Sequence, residues 1–93
     1  MKKYKPSVAT LPWKAIMAVA DLKASVENGK YKDQQPWYKF VNPEKNLDSL
    51  ARHVGEYCSG DRTDKESGLP ISTHIALRAL MQLELDIRGK DAE

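Results

Sequence analysis

The sequence predicts an all-α fold: a small bundle of three main helices, with helices two and three folded back on each other as an antiparallel hairpin. Three observations carry that expectation. Apolar residues recur three and four positions apart in three separate runs, Pro, Gly and Asn punctuate the runs where helices begin and end, and no segment alternates with the period of two that a half-buried strand requires. The 93 residues make a single domain, 1–93, divided into a basic extended arm (1–9), a helical core (10–89) and a short tail (90–93). A chain of this size buries only about 60–65% of its unfolded surface. Its core is therefore modest, and a homo-oligomer is the expected reinforcement.

The elements follow in order. Residues 1–9 (MKKYKPSVA) are basic, lack apolar periodicity and are interrupted by Pro6, so they read as an arm, either solvated or binding. The first helix is expected from Thr10 as N-cap, with Pro12 tolerated in the first turn. Trp13, Ile16, Val19, Ala20 and Val26 recur at helical spacing, Leu22 widens the stripe, and Asn28–Gly29 supplies the stop. Residues 30–43 (KYKDQQPWYKFVNP) form a basic-aromatic loop broken by Pro36 and Pro43. Aromatic faces stack on bases and ammonium groups meet phosphates, so Lys30, Tyr31 and Tyr38 are candidate nucleotide contacts. Trp37 and Phe40 are expected instead to tuck the loop onto the helices.

Asn42 reads as the N-cap of helix two, with Pro43 at the first helical position and Glu44 near the positive end of the dipole. Leu47, Leu50, Val54, Tyr57 and Cys58 form its apolar stripe, expected to be buried, and Gly60 ends it. His53 lies at the edge of that stripe and Arg52 further toward the polar face. Helix three is expected from near Pro70 to about Arg88, with Gly89 as its stop. Ala76, Leu77, Leu80, Leu83, Glu84 and Ile87 share one face, whereas His74, Arg78 and Met81 or Gln82 share another.

Composition narrows the function. A net charge of +2 is too small for polymeric nucleic acid to be an expected partner on bulk electrostatics. Cys58 is the single cysteine, which excludes an internal disulfide and fits a reducing cytosol. Neither a signal peptide nor an apolar run of the roughly 20 residues that a membrane span needs is present. The expected location is the cytoplasm, that of the host cell if the chain is phage-encoded.

Ionisable side chains crowd between Asn46 and Leu85. The loop Gly60–Gly68 offers Asp61, Asp64 and Glu66, oxygen ligands that suit Mg²⁺ or Mn²⁺ with phosphate oxygens completing the shell. Equally, Asp61 and Asp64 cap turns and Glu66 pairs with an arginine, and spacing alone favours that account. His53 and His74 could meet across the hairpin. With Cys58 on the apolar stripe and no further nitrogen or sulfur ligand apparent, a zinc site is not expected. Hydrogen bonds to phosphate or to loop carboxylates suit the histidines better, beside the ordinary alternative of a backbone carbonyl partner. Arg52 and Arg78 could grip phosphates bidentately, or form surface ion pairs with Glu56 and Glu84 of little energetic worth.

Arg52–His53, Gly60–Asp61, Asp64, Glu66–Ser67–Gly68 and His74 together resemble the phage and bacterial family named dATP/dGTP diphosphohydrolase, N-terminal domain. Leu11-Pro12-Trp13 and Gly29-Lys30-Tyr31 through Trp37 fall in that family's order, and the resemblance covers most of residues 10–85. It implies an all-α fold akin to the MazG-like nucleotide pyrophosphohydrolases, action on deoxypurine triphosphates with Mg²⁺ held by helix carboxylates, and an oligomer. The chain departs from the pattern at three places. A glutamate pair expected in helix one reads Ile16-Met17-Ala18 with only Asp21 near, an expected histidine reads Ile71, and an expected asparagine reads Arg78.

Losing carboxylates while gaining an arginine weakens metal binding and strengthens phosphate binding. The preferred expectation is therefore a catalytically degenerate protein that binds or sequesters a nucleotide or a cyclic-nucleotide defence signal, without a cofactor, through Arg52, His53, His74, Arg78, Lys30, Tyr31 and Tyr38. The alternative is an active Mg²⁺-dependent diphosphohydrolase releasing pyrophosphate, with Asp21, Asp61, Asp64 and Glu66 as ligands. A third is a protein–protein inhibitor of a host enzyme. The first two share one requirement: antiparallel pairing must gather Arg52, His53, Asp64, Glu66, His74 and Arg78 into one anion-receiving hollow.

Overall fold

The computed structural model describes residues 4–28 and 36–92, apart from the side chains of 28 and 90–92. Its helices are α1 (Trp13–Asn28), α2 (Pro43–Cys58) and α3 (Ile71–Ala92), with 3₁₀ turns at Val8–Thr10 and Trp37–Lys39. The architecture is all-α: α2 and α3 form a hairpin, and α1 packs against α3. No helix among the described residues is long and apolar enough to cross a membrane.

α1 starts at Trp13 rather than being capped by Thr10. The residue before a proline is pushed out of the helical region, and Leu11, before Pro12, is indeed extended at φ −66° and ψ 156°. The first helical bond therefore runs from the Ile16 N–H to the Pro12 carbonyl at 3.0 Å. Thr10 and part of the expected arm form the 3₁₀ turn instead. The Thr10 hydroxyl donates to the Ser7 carbonyl at 3.1 Å, and the Trp13 indole N–H donates to the Val8 carbonyl at 3.1 Å.

The core is small. Val19 and Leu22 of α1 meet Leu77 and Met81 of α3, with Val26, Trp37, Val41, Leu69 and Ala76 packed around them. Leu22, expected only to widen the stripe, is 1% exposed and sits at its centre. Trp37 folds onto this cluster as expected, whereas Phe40 stays exposed.

α2 begins as the sequence requires: the Asn42 Oδ1 accepts from the Glu44 N–H at 2.9 Å and the Lys45 N–H at 3.1 Å, with Pro43 at the first position. It then turns a different face inward. The stripe of Leu47, Val54, Tyr57 and Cys58 lies exposed, while Asn46 is 1% and His53 7% exposed. One position on a helix is a rotation of about 100°, and that is the offset between the apolar stripe and the buried one. The reason is polar. The Asn46 amide donates to the Arg78 carbonyl at 3.1 Å and to Gln82 Oε1 at 3.2 Å, and it accepts from Arg78 Nη1 at 3.2 Å. These bonds fix how α2 sits on α3.

The hairpin loop closes on its own backbone. The Asp64 N–H donates to the Leu69 carbonyl and the Gly68 N–H to the Asp64 carbonyl, both at 2.8 Å, while Thr63 and Pro70 form an isolated antiparallel bridge. Gly60 and Gly68 take φ of 107° and 75°, the left-handed region where glycine is cheapest. α3 runs on through Gly89, the expected stop, to Ala92; a glycine ends a helix only where the chain turns left-handed, and otherwise costs about 1 kcal/mol. Leu80, Leu83 and Ile87 of its apolar face remain exposed.

Neighbouring positions should consequently respond in unlike ways. Asn46→Ala should lower stability by about 1–3 kcal/mol, because it strips the Arg78 carbonyl and guanidinium of a buried partner. Leu22→Ala should cost about 2–5 kcal/mol. Denaturant midpoints at matched protein concentration measure both, and an Asn46→Ala protein as stable as the parent would remove the polar seam from the account.

Candidate functional site

Three elements converge at the mouth of the hairpin. The end of α2 supplies His53 and Glu56, the loop supplies Asp64 and Ser67, and the first turn of α3 supplies His74. The two imidazoles stack with centroids 4.8 Å apart and planes inclined by 29°. His53 Nδ1 donates to Glu56 Oε1 at 2.9 Å, an i, i+3 pair on one helix. Asp64 Oδ2 accepts the Ser67 N–H at 2.8 Å, the local turn that aspartate side chains favour. The Ser67 hydroxyl meets His74 Nε2 at 2.7 Å and also accepts the Leu69 N–H at 3.2 Å. His74 Nε2 lies 3.6 Å from Asp64 Oδ2.

The electrostatics follow from that packing. Burial pushes the His74 pKa below its ordinary value, and the charges of His53 and Arg78 act in the same direction; Asp64 and Glu56 oppose them without prevailing. For Asp64, burial works upward, but the Ser67 N–H and hydroxyl, together with the two histidines, hold the carboxyl below the usual range. The site thus presents a neutral imidazole beside a firmly ionised carboxylate at neutral pH.

Its composition differs in part from the expected set. His53, His74 and Asp64 come together. Arg78 lies one turn along α3 from His74, close enough for its charge to act on it, and it bonds Asn46. Arg52 is exposed, as are Asp61, Glu66 and Asp21, so these do not join the buried pair. Tyr38 lies under the Arg88 guanidinium at 3.6 Å. Arg88 is fourteen positions past His74, about 21 Å along the helix, so Tyr38 belongs to another part of the surface. Lys30 and Tyr31 fall outside the described residues. Glu56 engages His53 rather than Arg52, and Glu84 pairs with Arg88 rather than Arg78.

From sequence, Glu56 and Asn46 have no place in the site, and Ser67 enters only as part of the motif behind the family resemblance. Glu56 follows His53 by three and Ser67 follows Asp64 by three, so local spacing carried a signal for both; nothing local announces Asn46. Two open apolar grooves, of about 380 and 540 Å³, lie on the α1–α3 side, the first beside Lys14 and Thr73 and the second beneath Trp37 and Tyr38. The histidines line neither.

Fold and site define a small helical protein whose hairpin mouth holds an imidazole–carboxylate cluster. The chain belongs to the family described as dATP/dGTP diphosphohydrolase, N-terminal, whose model matches residues 1–93. No curated protein and no solved structure matches it.

The lowered His74 pKa has a defined sign for stability. Between its folded value and the ordinary value near 6.5, the unfolded chain binds more protons than the folded one, so the contribution is full above about 6.5 and is lost as pH falls. Melting temperatures measured with chelator present should decline on acidification below about pH 6.5, and His74→Gln should flatten that decline. An unchanged slope in the variant would remove His74 as its source.

Proposed function

We propose that this family member binds a nucleotide or cyclic nucleotide at the hairpin mouth without cleaving it. The observation that carries the reading is the fate of the carboxylates. Mg²⁺ asks for near-octahedral oxygen ligation, and of Asp21, Asp61, Asp64 and Glu66 only Asp64 faces the histidines, already accepting a Ser67 N–H. The residues present do not fit an all-oxygen Mg²⁺ clamp. What stands there is a pair of imidazoles with the Glu56 and Asp64 carboxylates beside them, and the Arg78 guanidinium, bonded to Asn46, lies one turn from His74.

Donors of this kind suit phosphate oxygens, and Arg78 is the residue expected to contribute most, because its planar fork matches phosphate geometry. A protein that holds without turnover acts by stoichiometric capture, which suits sequestration of a nucleotide defence signal in an infected cell. The apolar residues left outside on α2 and α3 fit a homo-oligomer of such binders, since exposed apolar patches of this kind mark interaction surfaces.

Calorimetry with dATP, dGTP and cyclic dinucleotides, with and without Mg²⁺, tests this directly. Saturable binding without released pyrophosphate is the expected result, and Arg78→Lys should weaken it about tenfold, or ~1.4 kcal/mol. Pyrophosphate release abolished by Asp64→Asn would replace the binder by a working diphosphohydrolase. Absence of any nucleotide effect on binding heat or melting temperature would shift the reading to a protein–protein inhibitor.

A further inference from the structure

Among the described residues, one group of metal-capable donors converges: His53 Nδ1, a Glu56 carboxylate oxygen and an Asp64 carboxylate oxygen, all within 4.8 Å of one another. We propose that these three side chains bind one divalent transition ion of the Zn²⁺ or Co²⁺ type.

The donor set selects the ion. Imidazole nitrogen with carboxylate suits Zn²⁺ and its neighbours, whereas Mg²⁺ and Ca²⁺ favour oxygen shells. Charge agrees, since two carboxylates converge on one imidazole. Geometry comes close to what is needed. Tetrahedral bonds of about 2.0–2.2 Å set the ligands of one ion about 3.4 Å apart, and the three donors already lie within 4.8 Å of one another, so binding draws them together by up to about 1.4 Å through rotation of the two carboxylates. His53 Nδ1 and Glu56 Oε1, at 2.9 Å, now share a proton. On binding, Nδ1 turns its lone pair to the ion and the neutral ring carries its proton on Nε2.

The surroundings are those of an aimed site rather than a loose surface cluster. Two of the three ligands are oriented by other groups, His53 by the stacked His74 ring and Asp64 by the Ser67 N–H. Such outer partners set ligand direction in metal sites. The side chains of His53 and Asp64 are 9% and 14% exposed, which limits competition by water, while Glu56 at 38% leaves a way in. Three protein ligands leave a coordination position open, as in sites that take water or an anionic oxygen.

This inference does not rest on the nucleotide reading, because it is measured without nucleotide. The tag-free, chelator-treated full chain would carry Cys58→Ser, removing the exposed thiol as a rival ligand. Titration with Co²⁺ and Zn²⁺ should show one equivalent bound, a raised melting temperature and a visible Co²⁺ spectrum, with Mg²⁺ giving none of these. Glu56→Gln, which keeps the shape and an acceptor, and His53→Gln should each weaken Co²⁺ affinity at least tenfold, since loss even of a group that only orients a ligand costs about 10–100-fold. Glu84→Gln, at the far end of α3, should leave it unchanged. Equal Co²⁺ affinity in the parent, Glu56→Gln and His53→Gln proteins would overturn the assignment, as would binding that vanishes with Cys58→Ser alone.

Discussion

The interaction on which the molecule depends is the amide of Asn46 lodged between α2 and α3. It is nearly inaccessible to solvent and makes three hydrogen bonds to Arg78 and Gln82. A buried amide without partners is costly, so the helices are held to the one rotation and register that satisfies it. That register carries His53, seven positions on, against His74, and it leaves Leu47, Val54 and Tyr57 outside. A hairpin packed through its apolar stripe would have bought cohesion and lost the imidazole stack.

The loop extends the same economy of means. Its backbone groups bond among themselves across the Thr63–Pro70 bridge, and Leu69 packs the loop onto the core. Asp64 is therefore both a structural and a chemical residue. Its backbone closes the turn, its side chain accepts the Ser67 N–H, and its charge faces His74. A feature of this kind is hard to vary, because removing the charge also loosens the turn that positions it.

The departures from the family pattern gain physical meaning in this setting. Ile71, where the resemblance implies a histidine, is 1% exposed and belongs to the interior of the loop–helix junction. Arg78, where it implies an asparagine, is coupled to Asn46 across the hairpin and adds positive potential beside His74. One change withdraws a titratable ligand and the other introduces a permanent cation.

Much of the fold was legible in local chemistry. The Asn42 cap, the Pro43 start, the Gly60 turn and three helical runs all rest on interactions within a few residues, and they appear where the sequence places them. Where local rules misled, a neighbour overrode them: Pro12 displaced the start of α1, and Gly89 continued a helix that nothing forced to turn. The meeting of His53, His74 and Asp64 followed from antiparallel pairing and was foreseeable. The rotation of α2 was not, because periodicity reports which residues are apolar and cannot weigh a buried amide against an apolar stripe. Only the tertiary structure, by pairing Asn46 with a carbonyl thirty-two positions away, decided which face of α2 is inside and therefore that Glu56 belongs to the site while Arg52 does not.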